Sequence, residues 1–443
     1  MKTSVKYREI WIIAYPIIIG SVAQNLLNIT DTAFLGRVGQ VALGAGAIGG
    51  IFYLINVMLT WGFGIGTQII IARRNGERAF SEIGRTFQHG FYFQLPLALT
   101  LFSLMQFFSG DIMKYIIQSD AVYESTREYI RFRSYGIFFA SINMLFRGFY
   151  IGITRTKIIT WTTILMASVN AVLDYGLIFG HFGLPEMGIG GAALASSISE
   201  CSATIFFAIF TFFRLDAKKY NFFHLARFDD SLYRRIIRVA LPMMMQNFVS
   251  MAAWLAFFLF IEKLGEQALA VSNIVRSFYV ILMMPMWGFS SATNALVSTL
   301  IGQGKEQEVL SLIMKVVRLC GLMVFIIVTL GIIFPELALR IYTNDPVIIA
   351  ASLPAMYVVN LAAMLHAIAF VFFSGVSGTG KTQVAFFIEF LVIIVYLGIA
   401  FILADVMRTQ VYIVWMSEYF YALMLGIISY FYLASGRWKS TRI

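Results

Sequence analysis

Gln24, Asn28 and Asp31 stand at i, i+4 and i+7, so a helix through them carries all three on one face. Asn170 and Asp174 are four apart and share a face in the same way, and Ser196 and Glu200 repeat the spacing. Carboxylate, amide and hydroxyl oxygens are hard ligands, suited to a proton or to a monovalent cation such as sodium. Carboxylates gathered in a low dielectric cannot all ionise cheaply, so such a group binds one or the other. Asp31, Asn170, Asp174, Ser196 and Glu200, with Gln24 and Asn28 beside Asp31 on its stripe, are therefore the candidates to couple to H+ or to Na+. Hydrogen bonding between helices is the rival role for buried acids, and it weighs more for Glu389 and Glu418.

The elements that position these groups are membrane helices. Of the 443 residues 59% are hydrophobic and 13% charged, and the mean hydropathy of +0.80 lies outside the range of soluble chains. Apolar stretches of about 20 residues recur along the whole length, the number needed to cross the hydrocarbon layer. Twelve such spans are expected, the fourth over residues 130–154. An ionisable group in that layer costs at least ~2.5–3.5 kcal/mol, so each one needs a reason to persist. The net charge of +10 follows from topology, since 24 of the 33 Lys and Arg fall on one side of these spans. The positive-inside rule then puts both termini in the cytoplasm of a multi-pass plasma (inner) membrane protein in contact with anionic lipid, and argues against a nucleic-acid partner. Cys201 and Cys320 lie inside predicted helices, so no disulfide framework or metal cluster is implied. No catalytic constellation stands out, and neither an enzyme nor an organic cofactor is expected.

Residues 16 to 76 recur at 242 to 302 in one register of 226 (242 − 16). Pro16 answers Pro242, Gly39 answers Gly265, and Trp61-Gly62-Phe63 answers Trp287-Gly288-Phe289. The polar stripe is not repeated, for Asp31 answers Phe257. The expected fold is all-α, twelve transmembrane helices in two six-helix bundles related by a pseudo-twofold axis normal to the membrane. Residues 1–213 form the N-lobe and 239–443 the C-lobe. Residues 214–238 link them in the cytoplasm, with an interfacial amphipathic helix as one reading of 230–238.

Residues 375–382, Gly-Val-Ser-Gly-Thr-Gly-Lys-Thr, spell a phosphate-binding loop. That loop needs a preceding strand and a soluble nucleotide domain, whereas this stretch joins two spans, so no nucleotide is expected there. Gly44, Gly46 and Gly49 match a dinucleotide fingerprint by spelling alone and suit close helix contact instead. Clustered methionines and aromatic residues suit walls that accept varied substrates, and Met243, Gln246, Trp254 and Met283 are the candidates for a substrate cavity.

With Pro16, the run from Asp31 to Gly39, Gly66-Thr67, Asn170, Asp174, Phe179-Gly180 and Gly191 to Ala195, the chain resembles the multidrug and toxic compound extrusion (MATE) family over its whole length. The resemblance implies an exporter of two lobes forming a V, driven by proton or sodium antiport, with small cationic amphiphiles as frequent substrates; a monomer is expected. Asp31 looks like the family's helix 1 aspartate, Asn170 and Asp174 like its helix 5 pair, and Ser196 sits where many members have threonine. One branch also carries acids in helices 7 and 10, but residues 246–254 and 360–370 contain none, which favours a cation site in the N-lobe. A lipid-linked oligosaccharide flippase of the same superfold is the alternative, although it would line its cavity with several Arg and Lys.

Overall fold

The computed structural model describes residues 5–216, 218–222 and 227–439, which contain helices and no strand. Hydrocarbon offers the backbone no hydrogen-bond partner, so an apolar chain of this kind satisfies its N–H and C=O groups within helices. The first half comprises α1 (Tyr7–Val38), α2 (Gln40–Gly76), α3 (Phe80–Ser103), α4 (Ser109–Ile116), α5 (Asp120–Arg133), α6 (Gly136–Gly152), α7 (Lys157–Phe179) and α8 (Gly188–Arg214). The second comprises α9 (Asp230–Glu262), α10 (Glu266–Gly302), α11 (Val309–Ile333), α12 (Pro335–Arg340), α13 (Pro346–Gly378), α14 (Thr382–Phe401), α15 (Val411–Trp415) and α16 (Ser417–Ala434).

Among the described residues eleven helices are long and apolar enough to cross a membrane. The span expected at 130–154 is the exception, because a break at Ser134 and Tyr135 separates α5 from α6 and leaves the latter 17 residues. Its counterpart in the second half, α13, runs unbroken for 33 residues. The break lies beside Arg133 and Gly136.

By packing, the chain divides into two units, Met1–Ile18 with Met245–Ile443 and the continuous stretch Ile19–Met244. The lobe limits expected from the polar linker, 1–213 and 239–443, differ from these at both ends. The cause is that α1 and α9 are each shared. Both divide two residues after their internal proline, at Ile18 after Pro16 and at Met244 after Pro242, again 226 apart (244 − 18). The first turns of α1 bury Ile10, Ile13, Ala14 and Ile18 in the apolar core of the second half.

The repeated Trp-Gly-Phe motifs receive these turns. A Cβ on Gly62 would lie 2.5 Å from Met244 Cα, and one on Gly288 would collide with Ile18. Only a bare backbone admits contact this close. Gly39 and Gly265 answer each other for another reason, since they join α1 to α2 and α9 to α10 at φ of 144° and 105°. L side chains rarely adopt that region.

Of the linker, residues 217 and 223–226 lie outside the described residues. The amphipathic stretch 230–238 forms the first turns of α9, which continues through Pro242 to Glu262. Asp229 caps it: Oδ1 accepts from Ser231 Oγ at 2.7 Å, Ser231 N at 2.9 Å and Leu232 N at 3.2 Å. These bonds, the Ser231 hydroxyl foremost, hold its carboxyl below the usual carboxylate range. Arg85 of α3 meets Oδ2 at 2.8 Å, and His89 Nε2 accepts from the Asp229 amide at 2.9 Å.

Candidate ion-coupling site

Asp31, Asn170, Asp174 and Ser196 lie in the unit Ile19–Met244, and three helices bring them together. Small residues allow α7 and α8 to approach. A Cβ on Gly191 would stand 2.5 Å from the Leu177 carbonyl oxygen, and Ala192, Ala193 and Ala195 are all buried. This approach sets Ser196 of α8 against Asn170 of α7, whose Nδ2 donates to Ser196 Oγ at 3.3 Å. Asp174 lies one turn further along α7, and both it and Asn170 are completely buried. From α1 the Asp31 carboxyl turns to Asp174 and to the Ser196 hydroxyl.

The polar atoms at this site are unevenly served. Asp31 Oδ1, Asn170 Oδ1 and both Asp174 oxygens are buried without a hydrogen-bond partner. All are acceptors. A buried acceptor left bare costs about 1–3 kcal/mol, more when it is charged, so the cluster calls for a proton or a small cation. The oxygen set of carboxylates, amide and hydroxyl fits a hard monovalent ion. Among the described residues no three His, Cys, Asp or Glu side chains gather as they would for a transition metal.

The other candidates are placed differently. Gln24 is half-buried and Asn28 exposed, so the stripe on α1 narrows to Asp31 at the site itself. Glu200 is held by an ion pair. Arg133 Nη1 meets its Oε2 at 2.8 Å and Nη2 its Oε1 at 2.6 Å, while Tyr53 Oη donates to the same carboxylate at 2.9 Å from Oε2. The guanidinium also lies 3.6 Å over the Tyr53 ring. Gly136 leaves room for the pair, since a Cβ there would collide with Arg133 and with Glu200. Arg133 is the residue that sequence reasoning missed, and the available signal was Glu200 itself, an acid in an apolar span that needed a counter-charge.

Gly46 and Gly49 serve helix contact: Cβ atoms there would meet Leu35 and the Tyr129 ring, each at 2.5 Å. Residues 375–378 form the last turn of α13, followed by the turn Thr379 to Lys381, so no strand precedes the phosphate-loop spelling. Met243 and Met283, expected at a substrate cavity, are 3% and 5% exposed in the packed interiors of the two separate units. Trp254 is half-buried against Phe258 and Tyr279, and Gln246 Oε1 is buried without a partner.

The sequence model of the MatE family matches residues 16–176 and again 242–403. The chain belongs to the MatE family. The two matches begin 226 residues apart (242 − 16) and end 227 apart (403 − 176), so the family pattern itself occurs twice here. As a MatE member the chain is a multi-pass integral membrane transporter. A probable multidrug resistance protein NorM of Thermotoga maritima is 27% identical over 447 residues, covering 98% of this chain and 94% of that protein. An outward-facing multidrug resistance MATE family transporter of the MOP superfamily superposes with a TM-score of 0.89 at 19% identity, covering 98% and 97% of the two chains. A MOP superfamily transporter from Pyrococcus furiosus gives 0.88 at 19% identity with the same coverage. At these identities the structural likeness speaks for the fold, the two-lobed MATE architecture expected from the repeat.

Proposed function

We propose that this MatE member is a secondary active exporter of small organic, typically cationic and amphiphilic compounds, driven by entry of protons or sodium ions. The observation that carries the reading is the set of bare acceptor oxygens on Asp31, Asn170 and Asp174 in one buried cluster. A bound proton or Na+ supplies the positive charge that this cluster lacks. When the site is filled, Asp31 on α1 can be drawn towards Asp174 on α7 and Ser196 on α8; when it empties, the two carboxylates repel. That difference sets the preferred packing of α1, and a change in helix packing of this kind biases inward against outward opening. The multidrug resistance named for the Thermotoga maritima relative supports the substrate class. The excess of Lys and Arg on one side supports an orientation with both termini in the cytoplasm of the plasma membrane.

Purified protein in proteoliposomes, under separately imposed sodium and pH gradients, tests the reading directly. Wild type is expected to export a lipophilic cation under one gradient, and Asp31→Asn to fold yet lose gradient-driven export. Full export by Asp31→Asn would sink the mechanism.

A further inference from the structure

The internal repeat extends to a buried acid in each half. Tyr53 and Tyr279 stand 226 apart (279 − 53), the register of the repeat, and each donates its hydroxyl to a glutamate on the last crossing of its own half. In the first copy Tyr53 meets Glu200 of α8, and the counter-charge is Arg133, on the fourth crossing. In the second, Tyr279 Oη donates to Glu418 Oε2 of α16 at 3.1 Å and Tyr396 Oη to Oε1 at 2.8 Å. There the place of the guanidinium is taken by His366 of α13, whose Nε2 lies 3.3 Å from Glu418 Oε2. The arrangement of tyrosine, glutamate and basic side chain is kept, and the base is changed.

The change matters chemically. A guanidinium keeps its proton at any pH a cell meets, whereas an imidazole exchanges one near neutrality. Donor counting shows what that proton changes. His366 Nδ1 lies 2.8 Å from the Ala362 carbonyl oxygen and must be the donor there. Nε2 then lies between Glu418 Oε2 at 3.3 Å and Tyr279 Oη at 3.4 Å: without a second proton it can only accept from Tyr279, and a second proton, on the ring or on the carboxyl, joins it to Glu418. Without that proton a carboxylate faces a nitrogen lone pair, with His366 1% and Glu418 5% exposed.

The titratable groups that face the pair are Tyr279 from α10, Tyr396 from α14 and Tyr421 from α16, the last stacked on the His366 ring at 5.7 Å. Tyr421 leads on to a further acid. Its hydroxyl donates to Glu389 Oε1 at 3.1 Å, beside Ser250 Oγ of α9 at 2.5 Å, while Glu389 Oε2 is buried with no partner. Glu389 is itself 5% exposed, so its bare oxygen is a second place for a proton.

We propose that His366 and Glu418, with Glu389 behind Tyr421, form a proton-binding site in the C-terminal unit. The proposal is independent of the role given to Asp31. It also supplies what the absence of acids from 246–254 and 360–370 had argued against, an ionisable site in the second half, built on α13, α14 and α16.

The test is a titration of the full-length protein in detergent, labelled with 15N-histidine and read by long-range proton–nitrogen spectra. The chain has four histidines, and the signal lost in His366→Arg identifies the relevant one. The His366 ring is expected to pass from its imidazolium to its neutral pattern in one step within the titrated range. Glu418→Gln, by removing the negative partner, should lower the proton affinity of His366 on the order of tenfold, a shift of about one pH unit downwards. Asp31→Asn should leave the step where it was, which separates this site from the coupling cluster. A His366 ring in one protonation state across the whole range, or a midpoint untouched by Glu418→Gln, would overturn the proposal. If Glu418→Gln does not fold, Tyr396→Phe serves instead: it removes one donor from the carboxylate and should raise the midpoint.

Discussion

Asp174→Asn should make the protein more stable and less active at once. Both Asp174 oxygens and Asp31 Oδ1 are buried without partners. Asparagine keeps the shape of the side chain, removes one bare oxygen and brings an NH2 group that can donate to Asp31. Two unserved acceptors are thereby removed or paired. At about 1–3 kcal/mol for a buried group left unsatisfied, partly offset by imperfect geometry, the expected gain is about 1–3 kcal/mol. Thermal unfolding in detergent at neutral pH and low sodium measures it. The gain should shrink as pH falls, because proton binding to the wild-type site supplies what the amide supplies in the variant, and ligands that bind only the native state stabilise it. Export under an imposed ion gradient should be lost in the same variant, a trade of function against stability. A variant destabilised by more than about 1 kcal/mol would refute the reasoning, since the bare oxygens would then be accepting bonds that matter to the fold.

The ion pair one helical turn beyond Ser196 should respond in the opposite way. Arg133→Gln alone leaves Glu200 buried with Tyr53 as its main donor, and is expected to cost about 3–5 kcal/mol in thermal unfolding. Adding Glu200→Gln should recover most of that loss; if the double variant is as unstable as the single, the pair is not the cause. Gly191→Val puts carbon against the Leu177 carbonyl, where a Cβ already falls at 2.5 Å. It should cost about 1–3 kcal/mol or more and reduce ion-driven export together with stability, whereas an unchanged melting curve would mean that α7 and α8 are not held by that contact.

Much of the fold could be read from residue patterns because the bilayer is a demanding solvent. Apolar runs of fixed length, the side preferred by Lys and Arg, and the register of 226 each follow from one physical rule. Asp31, Asn170, Asp174 and Ser196 were legible for a related reason, since polar groups in hydrocarbon are few and their spacing on a helix is fixed. Arg133 was not, because its partner Glu200 lies 67 residues away and a basic residue near a span end looks like an interfacial anchor. His366 was hidden in the same manner: nothing near it in sequence announces Glu418, and only the folded chain shows that Tyr53 and Tyr279 do the same work. The division of α1 and α9 was invisible too, because both sides of each proline are equally apolar and periodicity carries no record of which core receives a helix.

That division has a consequence for dissecting the protein. A cut in the linker 214–238 looks like a clean separation into halves, yet the second fragment would lack the helical turns of α1 that carry Ile10, Ile13, Ala14 and Ile18, which its own core needs. The first would lack Ala240 and Met244, over which the backbone at Gly66 and Gly62 closes. Neither fragment carries the whole of its own core. The polar linker is therefore the wrong place to divide the chain, because each unit is completed by the opening turns of the other half's first helix.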